Sequence, residues 1–537
     1  MVDEVLERYE KLGYLNGKTL TEELFEVINK HKDKIAIIDS ENKLSYCELK
    51  NNSENYAKLF LRKGIKTGDN VLLQLPNKAE FISILIGLLI IGAHPVLLLP
   101  SHREKEIISV AQSTKPVAYI CLEEHMGFNY VNMVEKIIQQ LSSIKYVFSD
   151  IKSEYKKANV SFYNFNDKNS EHQVLGDNKI SARDIAIFLL SGGTTSMPKV
   201  IPRIHESYVY DAKASAKRCE FDENTIYMAV LSVAHDYPLA SPGILGTLLS
   251  GGTVVLCETS SFDEAFNNIE KYKVTCTSIV PAIANIWSEA VEWYQADFSS
   301  LKQILIGAAK LDINVGKKLV ESMDVKIQQG YGLGEGITCF TSLSDNLYTA
   351  LNSQGKPVSS GDEIKIVDKN GNDVPQGTAG ELLEKGPYTF FGYYNNDELN
   401  KNIFTEDGFF KTGDKAYIDE NGNIVISGRV KEQINRAGEN IIPSEIEQLL
   451  KQHHAIKDAT VFGQEDPRLG EKTIACIISE DKDIKRNEIS SFFSKNGVAN
   501  YKVPDEIYVV DKFIYTNIGK VDKKNMKAMI EQGDINL

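Results

Sequence analysis

At 537 residues the chain is too long for one ordinary hydrophobic core, so two or more domains are expected. Hydrophobic content of 42% and charged content of 25% are those of a soluble globular protein. The net charge of −14 is diffuse and no basic cluster offsets it, which argues against nucleic acid as the main partner.

The seven cysteines are dispersed, with no CxxC pair and no histidine at ligand spacing, so they read as reduced cytoplasmic thiols. The acidic start Met1-Val2-Asp3-Glu4 carries no apolar signal region.

In chain order, residues 35–38 and 71–75 are the first expected strands. The uncharged stretch 81–100 is long enough to suggest a membrane span. Gly92-Ala93-His94-Pro95 divides it, predicting a buried helix and then a buried strand at 96–99. Further strands are expected at 118–121, 184–190 and 253–256, with helical spacing between them. That alternation predicts an α/β architecture with largely parallel sheets. From about 355 to 428, short strands and turns such as Asp368-Lys369-Asn370-Gly371 suggest a β-barrel-like subdomain. A core domain over 1–428, a hinge near 429–431 and a small mobile α+β domain over 432–537 complete the expected organisation.

The strand at 184–190 runs into Ser191-Gly192-Gly193-Thr194-Thr195-Ser196-Met197-Pro198-Lys199. Glycines let the backbone approach a polyanion, the hydroxyls donate to it, and Lys199 supplies positive charge. The Walker pattern GxxxxGK[ST] is absent, which removes the main sequence support for a P-loop ATPase or kinase. Farther on, Gln329-Gly330-Tyr331-Gly332-Leu333-Gly334-Glu335-Gly336 places one acid in a glycine-rich turn, a natural Mg²⁺ ligand beside a nucleotide. Lys411-Thr412-Gly413-Asp414 offers a carboxylate suited to ribose hydroxyls. Gly428-Arg429 follows, and Thr516-Asn517-Ile518-Gly519-Lys520 presents a lysine beside a glycine. Each alone reads as a polar turn, a solvated acid or a surface lysine. Their order along the chain discriminates.

That ordered set resembles the acyl-adenylate-forming superfamily over essentially the whole chain. The nearest likeness is to the stand-alone aryl-acid–AMP ligases of siderophore synthesis. It is carried by Leu99-Pro100-Ser101-His102-Arg103, Ile201-Pro202-Arg203-Ile204-His205, Ala234-His235-Asp236-Tyr237-Pro238, Gln433-Ile434-Asn435-Arg436 and Tyr501-Lys502-Val503-Pro504-Asp505.

The resemblance implies that a small carboxylic acid reacts with ATP and Mg²⁺ to give an acyl-AMP. The acyl group then passes to the phosphopantetheine of a carrier protein acting in trans, or to CoA. It implies that Ser191, Gly192, Gly193, Thr194, Thr195 and Lys199 hold the phosphates, and that Gly307, Gln329, Tyr331 and Gly332 contribute to the nucleotide site. Asp414 and Arg429 hold the ribose, with Lys431 at the hinge. Glu335 binds the metal. His235 stands beside the substrate carboxylate, and Lys520 reaches that carboxylate and the α-phosphate.

By local alignment the acid pocket is Asp236, Tyr237, Ser241, Gly330, Gly334 and Thr338. The aryl-acid ligases usually carry asparagine where this chain has Asp236. An ionised aspartate only accepts hydrogen bonds, so an ortho-amino aryl acid or an amino acid competes with a hydroxybenzoate as substrate. Gly330 and Gly334 are expected to enlarge the pocket, and Thr338 to add a hydroxyl to it.

Overall fold

The computed structural model describes residues 2–167, 179–191, 198–309, 311–430, 434–436, 439–466, 469–496, 498, 502–516 and 520–533. Gly192, Gly193, Thr194, Thr195 and Lys431 lie outside the described residues. The chain forms two compact units. One takes in the described parts of 1–193, 197–363 and 384–410, and the other those of 364–383 and 411–537.

Within the first unit, the described residues form two large sheets. One runs Lys356–Pro357, Thr338–Phe340, Lys326–Gly332, Gln303–Ile306, Cys276–Ile279, Ile226–Ala229, Thr253–Leu256, Ile35–Ile38 and Lys43–Ser45. Its centre is parallel and its edges antiparallel. Helices Phe262–Tyr272, Pro281–Ala290 and Ile313–Met323 contribute Phe266, Trp287 and Leu319 to its core. Strands buried on both faces need such helical cover, which is why they read as continuous apolar runs.

The second sheet runs Val200–Ile204, Ile185–Leu190, His94–Leu97, Asn70–Gln74, Ala118–Cys121, Tyr146–Ser149, Val160–Asn164 and Tyr155–Lys157. The apolar stretch at 81–100 supplies the buried helix Ala79–Ile90 and the strand His94–Leu97. Gly92, at φ +69°, turns the chain between them. Among the described residues, no helix is long and apolar enough to cross a membrane.

A sheet of Glu363–Val367, Gly380–Lys385, Phe410–Ile418 and Ile424–Arg429 lies largely in the second unit. The compact unit thus takes in residues 364–383 and 411–428, which chain order alone assigns to the core domain. The reason is bonding: ladders join these strands, and Ser444 Oγ donates to Ser427 O at 2.6 Å, fastening helix Pro443–Lys451 to them.

A further sheet contains Ile434–Arg436, Glu439–Ile441, Ile456–Asp466, Gly470–Ser479 and Glu506–Val510. Alternation sends Val461, Ala475 and Ile477 to one face, where they meet Ile446 and Phe493. Phe462, Ile474 and Cys476 go to the other, where they meet Met526 of helix Lys523–Glu531.

Candidate active site

Ile185–Leu190 and Val200–Ile204, the strands on either side of the hydroxyl-rich segment, are antiparallel neighbours. The ends of that segment are joined by Ser191 N donating to Lys199 O at 3.0 Å and Lys199 N donating to Ser191 Oγ at 3.1 Å. The Lys199 ammonium lies 4.8 Å from the centre of the Tyr393 ring. Tyr393 in turn donates its hydroxyl to Glu335 Oε1 at 2.8 Å.

Glu335 sits in the turn between Lys326–Gly332 and Thr338–Phe340, is buried, and is held at its carbonyl by Phe390 N at 2.7 Å. One tyrosine therefore links the lysine at the end of that segment to the acid of the glycine-rich turn. A single carboxylate suits Mg²⁺, which keeps waters and phosphate oxygens as its remaining ligands. At Gly336 a Cβ would stand 2.2 Å from Glu384 Oε1, so only glycine lets the turn approach that buried acid.

On the acid side, His235 precedes the short helix Asp236–Ala240. Asn77 braces the approach to it: Nδ2 donates to Leu231 O and Oδ1 accepts from Val233 N, both at 2.9 Å. Asp236 accepts from the Tyr208 hydroxyl at 2.8 Å and from Ser241 Oγ at 3.4 Å. Arg203, 1% exposed, pairs with Asp211 at 3.2 Å and donates to Gly334 O at 2.5 Å. Thr338 Oγ1 donates to Asp211 at 3.2 Å, Thr338 N to the Tyr388 hydroxyl at 3.1 Å, and Tyr388 to Asp362 at 2.8 Å.

Three acids thus feel one arginine: Asp211 and Glu384, which are buried, and the half-buried Asp236, while Asp362 joins the network through Tyr388. Burial pushes Asp362 up to about 7 and Glu384 up to about 8, and it raises Asp236 against the pull of Arg203. Burial raises Asp211 too. Arg203, in contact with Asp211, favours its charged form, and burial opposes this.

Three expectations for the pocket are corrected. A Cβ on Gly330 would come 2.3 Å from the Phe340 ring, so that volume belongs to phenylalanine and not to a ligand. A Cβ on Gly334 would meet Ile201 at 3.2 Å and Leu189 at 3.4 Å, so no extra room opens there either. The Thr338 hydroxyl is committed to Asp211.

The Gln329 amide is likewise spent inside, on Ala350 O at 3.0 Å and on Gln354 at 3.5 Å. Tyr237 lies against Gly307, where a Cβ would be 3.1 Å from its ring, and its buried hydroxyl has no hydrogen-bond partner among the described residues. Tyr331 is half-buried and Gly332 exposed at the end of the same strand. Arg203 was visible only as part of a motif. Asp211, Tyr208, Asp362, Glu384 and Tyr393 carried no sequence signal, because strand, helix and turn bring them together from distant positions.

In the second unit, Asp414 and Arg429 are register partners on neighbouring strands, with Arg429 Nε 2.9 Å from Asp414 Oδ1. Asp414 is buried and Arg429 exposed. Thr516 and Lys520 are joined by Thr516 N donating to Lys520 O at 2.7 Å and Lys520 N donating to Thr516 Oγ1 at 3.2 Å.

This fold and these elements define an enzyme of the adenylate-forming class. The chain belongs to the AMP-binding enzymes: residues 24–394 match the family described as AMP-binding enzyme, and 445–520 match the AMP-binding enzyme C-terminal domain. It is 38% identical to the 2,3-dihydroxybenzoate-AMP ligase of Bacillus subtilis, over 99% of this chain and 97% of that protein. It is 35% identical to the salicyl-AMP ligase / salicyl-S-ArCP synthetase of Mycobacterium tuberculosis, over 96% of this chain and 91% of that one. Among solved structures, the apo form of Mycobacterium smegmatis MbtA superimposes with a TM-score of 0.75 at 33% identity, covering 98% and 97% of the two chains.

Proposed function

We propose that this chain is a cytoplasmic, ATP-dependent aryl-acid–AMP ligase that loads its acyl group onto the phosphopantetheine thiol of a carrier protein. Family membership and full-length similarity to dihydroxybenzoate and salicylate ligases support the reading. The structural observation that carries it is the Lys199–Tyr393–Glu335 link, which joins through one tyrosine the lysine proposed for phosphate and the carboxylate proposed for the metal.

In the first step a carboxylate oxygen of the acid bonds to the α-phosphorus of ATP. The α–β bridging bond breaks, and pyrophosphate leaves with its electron pair. No protein group need form a covalent bond, so catalysis is positioning and charge neutralisation. Lys199 with the loop over Gly192, Gly193, Thr194 and Thr195 holds phosphate oxygens. Asp414 and Arg429 hold the ribose, His235 orients the acid, and Lys520 stabilises charge on the transferring group. Glu335 would hold Mg²⁺, which when bound would neutralise charge at the phosphates. Turning at the hinge near 429–431 separates this step from thiol attack on the acyl carbon, which releases AMP.

Asp236 favours a second reading of the substrate. Among the described residues its partners are hydroxyls, with no cation at ion-pair distance, so an acid bearing an amine, which when protonated compensates the carboxylate's charge as a phenol cannot, is the second substrate class.

An ATP–pyrophosphate exchange screen with 2,3-dihydroxybenzoate, salicylate, 2-aminobenzoate and free amino acids tests both readings. Exchange with an aryl acid is expected. Release of ADP and phosphate alone, whatever the acid, defeats the adenylation reading. An amino-to-hydroxy preference that is unchanged in Asp236→Asn removes the role given to Asp236. CoA and a pantetheinylated carrier protein, compared as acceptors, decide the thiol.

A further inference from the structure

The Lys520 segment is anchored by groups that the reaction scheme does not use. Helix Lys523–Glu531 begins three residues after Lys520. The Lys523 ammonium donates to Glu447 Oε1 at 2.7 Å and to Val461 O at 2.9 Å. Glu447, from helix Pro443–Lys451, accepts on the same oxygen from Val461 N at 2.8 Å. One carboxylate therefore joins a helix, the strand Ile456–Asp466 and the start of the last helix. Farther along, Lys527 donates to Gly463 O at 3.0 Å, and Met526 between them is fully buried.

The short link from Lys523 back to Lys520 has little slack. Asp522 caps the helix by accepting from Asn525 N at 3.0 Å, and its own N–H donates to Ile514 O at 2.7 Å. Val521 bridges to Tyr515, and Thr516 closes on Lys520. A shift of the helix start is thus passed to Lys520 through bonded backbone. Side chains of the Lys523–Glu447 pair are only 28% and 19% exposed. An ordinary surface pair contributes little to stability, whereas this one fixes a backbone segment in place.

We propose that Lys523 and Glu447 are positioning residues for Lys520, required for adenylation and dispensable for thiol transfer. The inference rests on the role given to Lys520 above. It is tested on the full chain with MgATP, using 2,3-dihydroxybenzoate and 2-aminobenzoate as probe acids.

Lys523→Ala and Glu447→Gln are expected to lower kcat for pyrophosphate exchange about 10- to 100-fold, the scale of a small misplacement of a catalytic group. The acid KM and the melting temperature stay unchanged. Lys523→Arg, which keeps charge and reach, restores most of the rate. The readout that a merely structural role would not leave intact is consumption of pre-formed 2,3-dihydroxybenzoyl-adenylate by pantetheine, where all three variants match wild type.

Wild-type exchange in Lys523→Ala, or equal losses in both half-reactions, overturns the proposal. Lys520→Ala separates the two levels. If it exchanges normally, the role of Lys520 falls and this inference with it. If it is inactive while Lys523→Ala is normal, only the anchoring role falls.

Discussion

Two arginine–aspartate pairs, one in each unit, have opposite surroundings. Arg203 and Asp211 have side chains 1% and 0% exposed, whereas Arg429 is 51% exposed on an Asp414 that is 5% exposed. The interior pair is stable only as part of a network, in which Gly334 O takes one guanidinium donor and Thr338 and Ser215 donate to the acid. The exposed arginine keeps most of its hydration. Burial turns a charge into a structural commitment, while exposure leaves it in contact with solvent.

The largest expected effect lies outside both pairs and calibrates the rest. Lys520→Ala should reduce pyrophosphate exchange by about 10²–10³-fold, the usual scale for removing one preorganised charge-stabilising donor. Its melting curve should be unchanged. A smaller loss places the charge stabilisation elsewhere.

The comparison itself is broken or upheld by Arg203→Met against Arg429→Met. Removing Arg203 strands Asp211 in the interior and should cost about 3–5 kcal/mol of stability. Removing Arg429 should cost at most about 1 kcal/mol and act mainly on the KM for ATP. Denaturant melts and exchange kinetics measure the two, and equal stability losses would erase the distinction.

A third prediction concerns pH. The folded pKa values of Asp362 and Glu384 are raised to about 7 and about 8, above those of an unfolded chain. The folded state therefore binds more protons, and their contribution is fully present below the ordinary carboxylate range. It is lost progressively as pH rises from that range to about 7 to 8, at no more than about 1.4 kcal/mol per pH unit for each proton, and the profile levels off above. Melting temperature should fall over that window, and Glu384→Gln should flatten the fall. A flat wild-type profile refutes it.

The smallest effect sharpens the link at the phosphate loop. Tyr393→Phe removes one hydrogen bond to Glu335, about 0.5–1.5 kcal/mol. It should raise the Mg²⁺ concentration needed for half-maximal exchange while leaving the KM for the acid unchanged.

The strands at 35–38, 118–121 and 253–256, the broken apolar stretch at 81–100 and the small C-terminal unit were legible because local pattern dictates them: apolar runs, turn residues and a glycine at positive φ. The candidate site residues were proposed from short contiguous motifs, which local sequence displays. The lining of the acid pocket was not legible. Gly330 and Gly334 read as empty space, yet Phe340, Ile201 and Leu189 fill it from other strands.

Sequence by itself determined which side chains are available for chemistry, because residue type and neighbouring residues are local properties. Tertiary structure alone decided which of them remain available. It spent Thr338 and the Gln329 amide on internal bonds, set Asp211 against Arg203, and tied Lys523 to Glu447 across 76 positions of chain. Burial and hydrogen-bond satisfaction are properties of packing, and packing joins residues whose separation along the chain carries no signal.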